Sequence, residues 1–261
     1  MEESSRRTFL KLAGFSALGL GAKPVLDAFA SSGGVQSKPM VMKGEKALQA
    51  KRWALVIDTR KFKSEKDLEP MIEVCHKIHN VPKLENKRHE IKWLWTEEFK
   101  HIFSSQTHDF LDERVKDLPF LTLCNHCEKP ACVRACPTKA TFKRADGIVL
   151  MDFHRCIGCR FCMAACPYGS RSFNFRDPRP FIKETNLKFP TRMKGVVEKC
   201  NFCAERLAVG KIPACVEVSK GALAFGDLGD SKSKVRELLS SNFTIRRKPA
   251  LGAGPSVFYI V

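Results

Sequence analysis

Twelve cysteines are concentrated in short runs of fixed spacing, and this pattern limits the possible folds more than any other feature of the sequence. Two runs are complete, and a proline follows each. They contain Cys124, Cys127, Cys132 and Cys136, and then Cys156, Cys159, Cys162 and Cys166. The other cysteines lie in incomplete runs on either side: Cys75, Cys200, Cys203 and Cys215. Such close spacing is typical of sites that bind a metal through several sulfur atoms.

The spacing of the second complete run is C-x2-C-x2-C-x3-C-P, which binds [4Fe–4S] clusters, and the fourth cysteine of such a run ligates the other cluster of a pair. Zinc also binds C-x2-C motifs, usually as two separated pairs. Disulfides are a second alternative because the chain looks exported, although cysteines so close in sequence are poorly placed to bridge one another. The pattern favours [4Fe–4S] clusters, with zinc and disulfides as the alternatives.

Two internal repeats relate the incomplete runs to the complete ones. Residues 125–133 resemble 201–216, and residues 150–156 resemble 56–62. The repeats align Cys136 with Ser219 and Cys156 with Phe62, which leaves Cys75 in the fourth place of its run. A fourth cluster would need ligands at Phe62 and Ser219, and its cysteines are all absent together.

Because the fourth cysteine of a run ligates the other cluster of its pair, the cysteines fall into three sets of four. The first quartet is Cys75, Cys200, Cys203 and Cys215; the second is Cys124, Cys127, Cys132 and Cys166; the third is Cys136, Cys156, Cys159 and Cys162. We predict one [4Fe–4S] cluster at each quartet, three in all. Because every ligand position is filled, we expect one-electron transfer and no catalysis by the chain itself.

The N-terminal sequence has the three parts of an export signal. Arg6 and Arg7 precede Phe-Leu-Lys, residues 12–22 are apolar, and residues 28–30 form an Ala-x-Ala site. This order is typical of a twin-arginine (Tat) signal peptide. We therefore expect the protein at the periplasmic or extracytoplasmic face of the cytoplasmic membrane, with the signal either cleaved or kept as an anchor.

The formal net charge is +17. Residues 1–30 contain four basic and three acidic residues, which leaves +16 for the rest of the chain. Each oxidised cluster with its four thiolates carries about −2, so three clusters would lower that charge to roughly +10. A basic chain can also bind nucleic acid, but export argues against that. We interpret the excess as compensation for buried clusters and as a face for acidic partners or lipid headgroups.

The predicted fold class is α+β, with two nested ferredoxin-like modules. We place the signal at 1–30, a linker at 31–51, the outer module at 52–80 and 196–261, a helical insertion at 81–119 and the inner module at 120–195. Helical spacing in the insertion is carried by Ile91, Leu94, Trp95, Phe99, Ile102 and Phe103. Strands are expected at 53–58, 172–176, 222–225 and 256–261, a hairpin at 140–151, and helices at 64–79 and 234–239. We expect His76, His79 and His126 to support the ligands or lie at the surface.

The four-run pattern resembles the iron–sulfur electron-transfer subunits of molybdopterin oxidoreductases, polysulfide reductase and formate-dependent nitrite reductase (NrfC/PsrB/DmsB-like). The resemblance rests on Cys-Asn-His-Cys at 124–127, Cys-Ile-Gly-Cys-Arg-Phe-Cys-Met-Ala-Ala-Cys-Pro-Tyr-Gly at 156–169 and C-x2-C-x11-C at 200–215. It covers about residues 52–261. The twin arginines and the missing fourth cluster look most similar to the DsrO-type subunits of DsrMKJOP membrane complexes of sulfate reducers and sulfur oxidisers.

The resemblance implies two partners: an NrfD-type integral membrane quinone-interacting subunit and a small multihaem cytochrome c. The chain would relay electrons between them in a sulfur-metabolism complex. One alternative is the iron–sulfur subunit of a molybdopterin oxidoreductase. A redox-sensing or nucleic-acid-binding iron–sulfur protein is a third possibility, which the export signal disfavours.

Overall fold

Short helices and strands joined by longer loops make up the computed structural model, which describes residues 46–261. The strands are β1 (Trp53–Asp58), β2 (Leu94–Glu98), β3 (Pro119–Leu123), β4 (Thr141–Lys143), β5 (Val149–Met151), β6 (Ser172–Phe173), β7 (Val197–Glu198), β8 (Leu223–Asp227), β9 (Thr244–Ile245) and β10 (Val257–Ile260). The α-helices are α1 (Glu69–Ile78), α2 (Phe99–Ile102), α3 (Glu113–Asp117), α4 (Ala131–Arg134), α5 (Phe161–Ala164), α6 (Ala204–Leu207), α7 (Ala214–Val218) and α8 (Lys234–Ser241). The predicted signal and most of the linker lie outside the described residues.

A four-stranded sheet in the order β8-β1-β10-β9 joins the two ends of the described residues. In this sheet β1 pairs in parallel with β10 and antiparallel with β8, so that Leu55 lies between Val257 and Phe225. β1 is apolar along nearly its whole length because both of its faces are covered. Leu55 and Ile57 belong to the main core, whereas Ala54 and Val56 pack with Val235 of α8. Elements from residues 52–80 therefore pair with elements from residues 196–261, and the interpretation as two nested modules stays a prediction.

The other strands form three two-stranded antiparallel sheets: β2 with β3, β4 with β5, and β6 with β7. The predicted hairpin at 140–151 is confirmed, and Gly147 at its turn has the positive φ of 85° that glycine adopts without strain. A short helix follows each of three C-x2-C pairs: α4 after Cys127, α5 after Cys159 and α6 after Cys203. The predicted helix at 64–79 begins at Glu69, after a 3-10 turn at Glu65–Asp67. The strand predicted at 172–176 is limited to Ser172–Phe173.

The prediction of a helical insertion at 81–119 is wrong in its first half. Leu94–Glu98 is a strand, and it pairs with β3 from Leu94 opposite Leu123 to Glu98 opposite Pro119. Only then does the chain form the single turn α2, followed by α3. The apolar spacing was compatible with either structure, and pairing with β3, whose five residues are all buried, favours the strand. The insertion packs on the main core, where Phe99, Ile102 and Phe103 are buried.

The two positions aligned with missing cysteines have ordinary structural roles. Phe62 is buried in the main core. The Ser219 hydroxyl donates to the Val216 carbonyl at 2.7 Å and accepts from the Leu223 N–H at 3.1 Å, which joins the end of α7 to the start of β8. Among the described residues, no helix has the length and apolar character needed to cross a membrane.

Candidate metal centres

The first quartet lies where α1 packs against α7. Cys75 on α1 and Cys215 on α7 are buried, as are Cys200 and Cys203 in the loop before α6. Burial raises the pKa of Cys75, and the charges of Cys200, Cys203 and Cys215 raise it further. The fold therefore brings Cys75 next to three thiols that follow it much later in the sequence.

The backbone at Cys200 forms a tight turn that directs an N–H group at sulfur. Phe202 and Cys203 have positive φ angles of 54° and 49°. This conformation lets the Phe202 N–H donate to Cys200 Sγ at 3.5 Å, while the Cys203 N–H donates to Asn201 Oδ1 at 2.8 Å. N–H donors to sulfur stabilise negative charge on a thiolate and tune iron–sulfur potentials.

The second quartet gathers residues from the end of β3, from α4 and from the loop after α5. Burial raises the pKa of Cys127 to about 12, and the charges of Cys124, Cys132 and Cys166 contribute to the increase. The four cysteines predicted to form this quartet therefore lie close enough together for their charges to act on one another. It adjoins the first quartet, because the charge on Cys124 also raises the pKa of Cys200.

The third quartet lines one surface recess together with Thr141 and Met151 of the β4–β5 hairpin. Burial raises the pKa of Cys162, and the charges of Cys156 and Cys136 raise it further. Cys159 is exposed. Burial also acts to raise the pKa of Cys136, but hydrogen bonds outweigh it and lower the pKa, among them the Thr141 N–H donated to Sγ at 3.5 Å.

Three histidines lie beside these thiols. His79 is buried, with Nδ1 2.8 Å from the Cys75 carbonyl and Nε2 2.8 Å from the Glu205 carboxylate. Its ring, Cys203 and Glu205 present polar atoms within 4.8 Å of one another. Burial lowers the pKa of His126, which stacks on Phe202 at 3.7 Å. Burial also lowers the pKa of His76 to about 4.

Several polar side chains around the quartets were not predicted from the sequence. They are Tyr168, Arg171, Lys199, Glu205 and Arg247. Arg171 and Lys199 are buried cations. Burial and the charge on Cys127 raise the pKa of Tyr168. A signal did exist for some of them, because Tyr168, Arg171 and Lys199 lie within five residues of a predicted ligand.

These sites fit a cluster with four thiolate ligands. All twelve cysteines are free thiols, and each quartet has four sulfur atoms in one environment. Backbone N–H donors face Cys200 and Cys136. Four thiolates suit both zinc and [4Fe–4S] clusters, so the comparisons with known proteins decide between the two.

The family described as "4Fe-4S dicluster domain" matches residues 116–178, which contain both complete cysteine runs. The match supports [4Fe–4S] clusters, and not zinc or disulfides, at these two runs.

The chain is 40% identical to the Hdr-like menaquinol oxidoreductase iron–sulfur subunit 1 of Archaeoglobus fulgidus, over 98% of this chain and 97% of that one. It is 33% identical to the menaquinone reductase iron–sulfur cluster-binding subunit of Nitratidesulfovibrio vulgaris, over 80% of this chain and 88% of that one. A shorter match, 43% identical, relates 52% of this chain to 64% of the B subunit of polysulfide reductase from Wolinella succinogenes. The chain therefore belongs to the family of [4Fe–4S] iron–sulfur electron-transfer subunits that includes the Hdr-like menaquinol oxidoreductase and menaquinone reductase proteins.

Proposed function

We propose that the chain is a non-catalytic electron-transfer subunit with three [4Fe–4S] clusters, one at each quartet. The observation that carries the proposal is the use of all twelve thiols in three sets of four. His126, between Cys124 and Cys127, stacks on Phe202, between Cys200 and Cys203, at 3.7 Å, which supports a row in which the second quartet follows the first. With four protein thiolates on each cluster, no iron offers a position for substrate, and single electrons pass along the row.

Iron analysis of anaerobically purified protein tests this proposal. We expect about twelve iron and about twelve acid-labile sulfide atoms per chain, and an EPR spectrum of interacting clusters after reduction. About eight iron atoms in fully loaded protein, or stoichiometric zinc, would contradict the assignment.

We propose that the partners are an NrfD-type membrane quinone-interacting subunit and a small multihaem cytochrome c, in a DsrO-type complex of sulfur metabolism. The support is twofold. Two relatives, which match 98% and 80% of this chain, are named as iron–sulfur subunits of a menaquinol oxidoreductase and of a menaquinone reductase. In addition, an apolar face adjoins the third quartet.

That face consists of Ile157 and Phe161, which are 67% and 60% exposed and lie on either side of Cys159. Arg155 and Arg160 are the basic residues around it. Large exposed apolar side chains next to a redox site suit an interface. An integral membrane subunit with an apolar surface and nearby anionic headgroups matches this combination.

Replacement of the two apolar residues tests the interface. The double variant Ile157→Ser, Phe161→Ser should keep its iron but no longer co-purify with the membrane subunit after gentle extraction. Phe243→Ser is the matched control, since Phe243 is 76% exposed and lies next to β9. Undiminished co-purification of the double variant would contradict the proposed face.

The second candidate is the iron–sulfur subunit of a molybdopterin oxidoreductase, which the match to the polysulfide reductase subunit favours. Co-purification separates the candidates. Haem and a membrane protein in the complex support the first, and molybdopterin with a large catalytic subunit supports the second.

We also propose export by the Tat route to the extracytoplasmic face of the membrane, on the basis of Arg6, Arg7 and the apolar segment after them. The variant Arg6→Lys, Arg7→Lys should accumulate in the cytoplasm with its clusters. Normal export of that variant would contradict the proposal.

A further inference from the structure

Arg171 is a buried guanidinium that forms no ion pair with a carboxylate among the described residues. Only 5% of the residue is exposed. Among the described residues its hydrogen bonds go to the Thr141 hydroxyl at 3.1 Å and the Met151 sulfur at 3.0 Å, both uncharged. Buried Arg192, by contrast, pairs with Glu198 at 2.6 Å. Since an unpaired buried cation is costly, a negative group has to lie near Arg171.

Cysteine sulfurs supply that negative charge. Burial acts to lower the pKa of Arg171, but the charges of Cys132, Cys162 and Cys124 outweigh it and raise the pKa. Cys132 and Cys124 belong to the second quartet and Cys162 to the third. Thr141 and Met151, which accept hydrogen bonds from Nη1 of Arg171, line the recess of the third quartet. Nη2 is buried and makes no hydrogen bond within the described part of the chain.

We infer that Arg171 sets the reduction potentials of the second and third clusters by donating Nη2–H to their sulfur atoms from between the two sites. The inference rests on the proposed function, because it requires clusters at both quartets. Reduction takes one electron from a neighbouring cluster into an already anionic one, with no bond made or broken. A buried cation stabilises the reduced form more than the oxidised form, so it raises the potential.

The first quartet has different neighbours. The Glu205 carboxylate lies there, with an oxygen within 4.8 Å of Cys203 Sγ. Lys199 donates to the Cys200 carbonyl at 2.7 Å. Arg171 is held instead by Thr141 and Met151, which line the recess of the third quartet. Because a carboxylate lies at the first quartet and a buried guanidinium at the other two, we expect higher potentials for the second and third clusters than for the first.

EPR-monitored redox titration of the full chain, reduced with dithionite through mediators, tests the inference. Arg171→Met removes the charge at similar side-chain length. We expect the midpoints of the second and third clusters to fall relative to the first, with at least a tenfold change in the equilibrium constant between the first and second, or 59 mV for one electron. The variant Cys75→Ser, which lacks a ligand of the first cluster, identifies the signals of the other two.

Two further variants make the result specific. Arg171→Lys keeps the charge but loses the second donor, and we expect a smaller fall confined to the same two clusters. Arg236→Met makes the same change in net charge at an exposed position of α8, and we expect it to leave all midpoints unchanged. If Arg171→Met does not retain iron, Arg171→Lys decides the question.

Unchanged midpoints at full iron content, or an equal shift of all three clusters, would show that Arg171 only fills space and would overturn the inference. The proposed function fails separately, if the unmodified chain does not contain three clusters.

Discussion

At the residue scale, the loop of the third quartet depends on a glycine between two of its cysteines. Gly158 has a φ of +71°, and a Cβ atom there would lie 2.4 Å from the Gly195 carbonyl oxygen. The sequence predicted the ligands of this loop because their spacing is imposed by the cluster. It did not predict the contact with Gly195, which depends on the pairing of β6 with β7.

We predict that Gly158→Ala destabilises the protein by about 1–3 kcal/mol more than Gly169→Ala, because a backbone carbonyl has to move. Gly169 is a matched control. It has a similar φ of +64°, but nothing lies within 4 Å of its Cβ position. Thermal unfolding with iron analysis measures the difference. Equal effects of the two substitutions would mean that the contact with Gly195 is unimportant.

We predict that Cys75→Ser removes the first cluster and leaves the other two, so that iron falls from about twelve to about eight atoms per chain. Ser219→Ala tests the equivalent position of the repeat and should keep all three clusters. Loss of every cluster from a folded Cys75→Ser protein would contradict the quartets.

Arg171 and Lys199 show which part of the site the sequence indicates and which it does not: both lie within five residues of a predicted ligand, but their burial is not visible. A single buried arginine or lysine resembles a surface residue in sequence, since nothing in a local pattern gives its burial. Its role depends on sulfur atoms that the fold brings together from distant runs.

At the scale of elements, short apolar segments were the hardest to assign to a helix or a strand. Trp53–Asp58 was correctly predicted because a β-branched run covered on both faces forms a central strand. Leu94–Glu98 was mistaken for a helix because five residues contain little periodicity. Its state depends on the partner β3, which lies beyond α2 and α3 in the chain.

An acidic side chain at the end of β8 accepts hydrogen bonds from the residues that lead into β1. Asp227 accepts N–H groups from Lys51 at 2.8 Å, Arg52 at 2.9 Å and Gly229 at 2.8 Å. Burial acts to raise the pKa of Asp227, but these hydrogen bonds outweigh it and hold the pKa below the usual value of 3.8. The stabilisation is therefore fully present above pH 3.8 and is lost as the pH falls through the lower pKa of the folded state.

We predict that Asp227→Asn lowers the free energy of unfolding by about 1–2 kcal/mol. The difference in stability between the variant and the unmodified protein should be constant between about pH 5 and 8, where the carboxylate stays ionised. Asp230→Asn is the control, because Asp230 is exposed and its carboxylate accepts, among the described residues, a single backbone N–H, from Lys232. Thermal midpoints of the loaded protein measure both. A difference that grows steadily across this pH range would contradict the assignment.

At the scale of the whole molecule, thiols and apolar residues share the main core. Cys75, Cys124, Cys200 and Cys215 belong to it together with Leu55, Ile57 and Tyr259. The smaller core under α8 contains no cysteine among the described residues. We therefore expect removal of the clusters to loosen the main core while the sheet β8-β1-β10-β9 persists.

We predict that the cluster-free protein becomes less stable as the pH rises above about 9, whereas the loaded protein does not. Burial raises the pKa of Cys127 and of Cys215 from 9.0 to about 12 in the folded chain. Unfolded thiols ionise earlier, so the stabilisation is complete below pH 9 and is lost by about pH 12. Circular dichroism melts of both forms from about pH 7 to 10 test this sign. Rising stability of the cluster-free protein, or no melting transition at all, would contradict it.

The parallel pairing of β1 with β10 has a consequence for biosynthesis. Residues 257–260 follow all twelve cysteines in the sequence, so β1 lacks one of its two neighbours when Cys215 has just been synthesised. Cys75 and Cys215 lie on α1 and α7, which pack against each other, and α7 also contacts β8 of this sheet. We therefore expect delivery of iron and sulfide to the first quartet to follow synthesis of residues 257–260, and products that end between Cys215 and β10 should keep every thiol yet fail to mature.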